Sequence, residues 1–494
     1  VRARTFKATQ AAALCLAMAG AAAHAGAAPD TPKAPDWAAI ARQDLRFAVD
    51  TIRTRHAGYV AGEPSVTQPL AAGMRAGLPE ADAVRSEQDY RRLMMRFIAG
   101  FGDPHTGIDL HLAVRGWTGI VIDQDRDAKG ARYRVVWSEP GWPTPLPPRG
   151  SVVHGCDGAW IGTWLQMQVA PFLNRSAEYG SAFSTMAQQS MFDLGLGWTP
   201  SQCLFELPDG SRKSFALAQR SVPSEVAQAR LDTLQPGWRA IASPVGVTTL
   251  APDKRWVGMP NFDGARSGAA YEALYPQLAA LPKSGWVVFD LRGNGGGDSS
   301  WGSRALAALY GDAYAGQLSS AGGVSKYLIA DEATASLLKR YIAAPEYAAS
   351  KAGSESDLAR VEAAMRSGEK MALVAGERDA AAAPAVLRRP HGPRVAAVID
   401  RTCFSSCMAF LQQLQAMGDT VVLGEATIGY SPFGEINIFE LPSGHGALRI
   451  PSAFYKTAQP TREPFVPDYP FAGSMTDGKT LQQWVNTTLD GIKR

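Results

Sequence analysis

The sequence predicts an α/β protein: a helical N-terminal region, a β-rich segment, and a larger part built on a mostly parallel sheet. Three observations carry this. Between about 37 and 101, apolar residues recur at intervals of three and four, the period of one helix face. From about 112 to 224 the texture becomes short alternating runs broken by turn residues, which is the pattern of strands and hairpins. From about 225 onward, apolar strand runs feed Gly- or Ser-rich turns and then helices. That order builds a parallel sheet with its functional groups at the carboxyl ends of the strands.

At 494 residues the chain is long enough for two or three domains. A hydrophobic content of 46% with 19% charged residues is a globular composition. The N-terminus reads as an export signal over 1–25. Arg2, Arg4 and Lys7 precede the apolar run "AAALCLAMAGAAA", and "AHA" at 23–25 has the small-x-small form of a cleavage site. The run is short and alanine-rich for a membrane span, and Cys15 follows Leu14 rather than the small residue of a lipoprotein site. A periplasmic or secreted protein is expected, with no stable membrane anchor after cleavage. The net charge of +3 falls to about zero once the leader's three basic residues are removed. A balanced chain has no electrostatic footprint for nucleic acid or an anionic membrane.

The elements follow in order. After a Pro-rich join, "WAAIARQDLRFAVDTIRTRH" and "YRRLMMRFIAGF" are helices of a region spanning 26–111. In 112–224, "RYRVVW" is a strand and "CLFELPDGSRKSFAL" a hairpin turning at Pro208-Asp209-Gly210. "PRGSVVHGCDGAWIGTWLQM" reads as strand, turn and helix start. In 225–494, "GWVVFDLRGNGGGD" leads into the helix "SSWGSRALAALYG", and "PRVAAVIDRTCFSSCMAFLQQLQAM" repeats the theme. "TVVLGEATIGY" supplies another strand and turn, while alanine-rich 331–384 reads as a helical insertion or flap.

Two strand-end turns carry chemistry. "DLRGNGGG" matches neither the dinucleotide nor the P-loop pattern. Its glycines suit a backbone N–H aimed into a site, or simply a tight turn of positive φ. Ser405 follows a buried strand where a helix begins, a place for an N-cap and equally for a nucleophile stabilised by the helix dipole. Outside the leader four cysteines remain, Cys156, Cys203, Cys403 and Cys407, and an even number in an oxidising compartment suggests disulfides. The simplest of the three connectivities is Cys156–Cys203 with Cys403–Cys407, each pair within one segment; free thiols are the alternative for the second pair. A Cys403–Cys407 loop closes little chain entropy, so its use would be to clamp the turn presenting Ser405. Asp103, His105, Asp109 and His111 share strand parity, but four ligands along one strand cannot close on one ion without a turn, so no metal is expected. His56 and His445 read as surface or loop residues, and His154 as structural.

In that order, "DLRGNGGG", "RTCFSSCMAF", "LGEATIG" and "TREPFVPD" resemble the C-terminal-processing and tricorn-core serine peptidase family, the tail-specific proteases. "GSVVHGCDGAWI" looks like that family's PDZ-like turn and "FGDPHTGIDL" like its "DGHTG" element, so the resemblance spans about 40–494. It implies a ClpP/crotonase-like core over 225–494 and a PDZ-like domain over 112–224. It also implies Ser405 as nucleophile, with the N–H groups of Gly296 and Ser406 as oxyanion donors. Where tail-specific members place a general-base lysine this chain has Tyr430. The resemblance therefore points to the tricorn-like arrangement, with His105 as base and Glu463 as its orienting carboxylate. Pro104 replaces the usual hydroxyl helper, and Met408 an acid often found three residues after the serine.

The expectation is an exported serine endopeptidase or carboxyl-terminal-processing peptidase, acting on polypeptides through an acyl-enzyme with no metal or cofactor. The PDZ-like domain would take an extended chain by strand addition. A catalytically decayed relative binding a peptide or apolar ligand is the alternative, and a thiol-redox or metal protein a remoter one. Oligomeric state stays open.

Overall fold

A computed structural model describes residues 35–111, 114–127, 130–173, 182–234, 243–321, 323–376, 386–457 and 465–492. The leader expected over 1–25 lies outside them. Among the described residues no helix is long and apolar enough to cross a membrane.

Helices Trp37–Arg55, Pro64–Ala83 and Glu87–Ala99 open the described chain. Pro64 occupies the first helical turn, and the Ser86 side chain caps the third helix by accepting from the Asp89 amide. Their apolar faces meet through Leu45, Ile52, Leu70, Leu93 and Met94, and share that core with Phe433, Leu448 and Ile450 from late in the chain. The short strand Gly107–Asp109 makes the same connection through the backbone, pairing antiparallel with Ala447–Lys456 so that Gly107 faces Arg449. The turn that carries His105 is thereby fixed beside the C-terminal part of the chain.

A second sheet is antiparallel and runs from Ile120–Asp127 through Gly130–Ser138, Val152–Cys156 and Gln202–Glu206 to Arg212–Ala216. The last two strands form the hairpin around Pro208-Asp209-Gly210, closed by the Leu207 amide donating to the Ser211 carbonyl. Cys156 and Cys203 are direct cross-strand partners and form a disulfide. Trp117, Ile122, Leu165, Phe192 and Phe205 fill the core beneath.

The sheet that positions the site runs Gly246–Ala251, Lys254–Gly258, Trp286–Asp290, Arg394–Ile399, Val421–Gly424, Tyr469–Pro470. All pairs after the first are parallel. Trp286–Asp290 and Val421–Gly424 are buried at every residue, as strands covered on both faces must be. Helices Gly264–Ala279, Ser300–Tyr310 and Ser406–Gln415 cover one face, and Gly478–Gly491 the other.

The stretch 331–384 is not purely helical. Helix Glu332–Ala343 is followed by helix Lys351–Ser367, which ends at Gly368 in the left-handed conformation, and Met371–Ala375 is a strand. It pairs antiparallel with Ser325–Ile329, which in turn pairs with Ala447–Lys456. The left-handed glycine stops the helix, and the alternating burial that follows suits a half-covered strand.

Candidate functional site

The carboxyl ends of three adjacent parallel strands, Trp286–Asp290, Arg394–Ile399 and Val421–Gly424, carry the turns that sequence analysis singled out. The glycine turn begins with a buried ion pair. Arg292 donates Nε to Asp290 Oδ1 at 2.8 Å and Nη2 to Oδ2 at 2.7 Å, and its Nη1 reaches the Met475 carbonyl. Asn294 then holds the bend from within: its Nδ2 donates to the Met259 carbonyl, and its Oδ1 accepts the Gly296 amide at 2.9 Å.

Ser405 faces this turn at the start of helix Ser406–Gln415, with φ +57 and ψ −124. A positive φ is rare for a residue with a Cβ, and strain of this kind clusters at functional sites. Three contacts hold it. The Phe404 amide donates to the Asn294 carbonyl, the Ser405 carbonyl accepts the Met408 and Ala409 amides, and the Ser406 hydroxyl donates to the Gly297 carbonyl. The disulfide Cys403–Cys407 closes around the same residue, with both sulfurs buried. Gly296, at φ +102, stands so near that a Cβ there would lie 2.8 Å from that of Ser405 and 3.1 Å from the Ser406 amide nitrogen.

Of the two expected oxyanion donors, one is occupied. The Gly296 N–H is engaged by Asn294, whereas the Ser406 N–H, in the first helical turn, has no hydrogen-bond partner among the described residues. First-turn amides of a helix lack intrahelical acceptors.

The His105 imidazole packs on the ring of Phe404, the residue before Ser405, at a centroid separation of 4.6 Å. Its Nδ1 is buried without a hydrogen-bond partner, and no hydrogen bond joins it to Ser405. Burial holds the imidazole below the ordinary histidine range; Asp103, a backbone hydrogen bond at Phe433 and Glu435 oppose this, while Arg449 adds to it. At neutral pH such a ring is unprotonated and able to accept a proton. Glu463 lies outside the described residues. The described chain resumes at Phe465, whose amide and carbonyl bond to Thr427 in the turn after Val421–Gly424. Burial raises the hydroxyl of Tyr430, in that same turn, above the usual tyrosine value, with Gln412 of the serine helix opposing, so it is no substitute for a basic lysine.

Several residues of this region carry no local sequence signal. Asp400, pushed up to about 6 by burial, accepts from the Gly293 amide and from the amide and hydroxyl of Thr402, tying the glycine turn to the serine turn. Arg401 bridges Asp123 of the antiparallel sheet and Glu425 of the third turn, each at 2.9 Å. His56, expected at the surface or in a loop, is fully buried: it caps the short helix Ala57–Val60 and packs on Phe433. Asp103 is buried while Asp109 and His111 are exposed, so the four residues of shared parity do not present one face. His154 pairs with Glu206, and His445 packs near Trp37 and Tyr90.

No family model matches the sequence, and no curated protein is recognisably similar to it. Solved structures do match. Mature CPAF complexed with lactacystin superposes with a TM-score of 0.63 at 13% identity, covering 92% of this chain and 99% of that one. Mature CPAF alone gives 0.62 at 14% identity, over 92% and 96% of the two chains. The tricorn protease aligns over 92% of this chain and 36% of its own, at 12% identity and a TM-score of 0.35, too loose to carry an argument. The mixed α/β chain described here has the fold of mature CPAF.

Proposed function

We propose that the protein is a serine peptidase in which Ser405 is the nucleophile and His105 its general base. One observation carries the reading: Ser405 sits on positive-φ backbone at a helix N-terminus, against Gly296, with the His105 ring packed on the adjoining Phe404. In acylation Ser405 Oγ attacks the peptide carbonyl carbon while His105 takes the hydroxyl proton; the proton then passes to the leaving amine as the C–N bond breaks. Water, deprotonated by His105, hydrolyses the ester and returns the proton to Ser405. The Ser406 amide is the available donor to the tetrahedral oxyanion, and Gly296 joins it when Asn294 releases its amide. Glu463 is assigned as an orienting carboxylate. These steps use protein side chains, backbone amides and water.

The antiparallel sheet within 112–224 is proposed as a PDZ-like domain that takes an extended polypeptide by strand addition, and 225–494 as the peptidase core. Two disulfides support passage through an oxidising compartment, hence export to the periplasm or beyond with removal of 1–25. The test is labelling by a fluorophosphonate probe together with peptide hydrolysis. Label is expected on Ser405, absent in Ser405→Ala and strongly reduced in His105→Ala. A second reading, a ligand-binding relative without turnover, is favoured by the missing Ser405–His105 hydrogen bond and the engaged Gly296 amide. Folded wild-type protein that takes no label would establish it over the first.

A further inference from the structure

Behind His105 lies a buried polar chain that the reaction above does not use. Asp103 opens the turn. Its Oδ1 accepts the His105 amide at 3.2 Å, and its Oδ2 accepts the Thr106 amide at 3.0 Å and the Thr106 hydroxyl at 2.6 Å. Thr106 Oγ1 is also 2.8 Å from His56 Nε2. His56 Nδ1 accepts the Gly58 amide at 3.1 Å, so that nitrogen carries no proton and the ring's single proton is on Nε2. The direction of each bond is then fixed: His56 donates to Thr106, and Thr106 donates to Asp103. His56 and Thr106 are fully buried and Asp103 is 7% exposed. A turn alone needs only the bonds from Asp103 to the two amides. It does not need a histidine and a threonine aligned behind the carboxylate.

We propose that Asp103, oriented by Thr106 and His56, is a positioning residue for His105 and supplies the negative charge against which a His105 imidazolium forms. This rests on His105 acting as base to Ser405. Among the described residues, three charged groups act on the ring: Asp103 from its own turn, Glu435 from strand Phe433–Glu440, and Arg449 from strand Ala447–Lys456. Glu435 is committed to Lys326 at 2.8 Å, and Lys326 also pairs with Asp357 at 3.0 Å. Arg449 repels an imidazolium. Among the described residues Asp103 is therefore the main opposition to the burial that disfavours the charged ring. The Phe433 backbone favours the charged His105 ring, and the Phe433 ring packs edge-on to His56 at 4.9 Å. In this role Asp103 fixes where the imidazole stands and how readily it becomes charged.

The test is titration of His105 by NMR on protein carrying isotope-labelled histidine, with the signal assigned by its loss in His105→Gln. The pH dependence of fluorophosphonate labelling is followed alongside. In Asp103→Asn the His105 pKa is expected to fall by about half a unit or more. The acid limb of the labelling profile should move down with it, and the neutral-pH labelling rate should drop at least about tenfold. Thr106→Val, which leaves the carboxylate but cuts the chain behind it, should move all three readings the same way by less, and Thr106→Ser should restore them. If Asp103→Asn does not fold, the two Thr106 variants carry the comparison. Folded Asp103→Asn or, failing that, folded Thr106→Val with a wild-type His105 titration and an unmoved acid limb would overturn the proposal. A wild type unlabelled at Ser405 would sink the peptidase reading instead, and the NMR shift would still decide whether Asp103 sets the charge on His105.

Discussion

Gly296 and Ser405 are in contact across two strand-end turns: a Cβ at Gly296 would stand 2.8 Å from that of Ser405 and 2.9 Å from the Phe404 carbonyl. The second contact is with backbone, which yields only if Ser405 itself moves. Because Gly296 also has φ +102, an alanine there costs about 1–2 kcal/mol in backbone strain before any clash. Gly296→Ala should fold with a lowered melting temperature and label at Ser405 at least about a hundredfold more slowly. Gly295→Ala is the control, since a Cβ there meets nothing within 4 Å; it should label as wild type. Equal labelling of all three proteins would show that this packing does not set the site.

The two disulfides should differ in what they stabilise. Cys156–Cys203 closes a separation of 47 residues and Cys403–Cys407 one of 4. Chain entropy then assigns about 4 kcal/mol to the first and about 2 kcal/mol to the second. Urea denaturation of the paired Cys→Ser variants should show that order. Probe labelling should show the reverse, because only the second loop encloses Ser405. Loss of label in Cys156→Ser/Cys203→Ser with retention in Cys403→Ser/Cys407→Ser would contradict the clamp.

How much of this was legible in the sequence depends on how far apart the interacting residues lie. The buried strand Trp286–Asp290 and the helix Ser406–Gln415 announce themselves through local apolar runs and the turns that end them. So does the hairpin that ends in Arg212–Ala216. Met371–Ala375 gives no strand signal because it follows a strongly helical stretch and has no partner nearby in sequence; its strand neighbours are Ser325–Ile329 and, beyond that, Ala447–Lys456. The burial of His56 escapes the sequence for a related reason. A lone histidine between two helices gives no pattern, and its burial follows only when Phe433 closes over it. The Asp123–Arg401 pair joins residues 278 apart, and nothing in either local stretch indicates the other.

That pair supplies a third expectation. Arg401 sits in the turn leading to Ser405 and neutralises Asp123 and Glu425 together, all three side chains being mostly buried. Removing the arginine leaves two carboxylates facing each other in a low-dielectric site, so Arg401→Met should cost about 3 kcal/mol in urea unfolding. Asp123→Asn, which leaves the Glu425 contact, should cost less. The double variant should be more stable than the summed single losses by more than about 1 kcal/mol. Simple additivity of the two losses would mean that the pair does not hold the antiparallel sheet to the serine turn.

Acid should unfold the protein partly through His56. Burial pushes this imidazole down to about 4, with Asp103 opposing, whereas in the unfolded chain it titrates near 6.5. Between those values the unfolded chain holds a proton that the folded chain refuses, so stability falls as pH falls through the window. Asp400 has the opposite sign. It is pushed up to about 6 from 3.8, so the folded chain binds its proton first and gains stability over the unfolded chain as pH drops through that range. His56→Gln removes only the first contribution, which makes the comparison between proteins decisive where either curve alone is not. Going from about pH 7 to about pH 5, wild type should lose about 2 kcal/mol more unfolding free energy than His56→Gln, at about 1.4 kcal/mol per pH unit below 6.5. Parallel losses in the two proteins would mean that the folded chain accepts a proton on His56 as readily as the unfolded one does, and the fixed donor direction from His56 through Thr106 to Asp103 would fall with it.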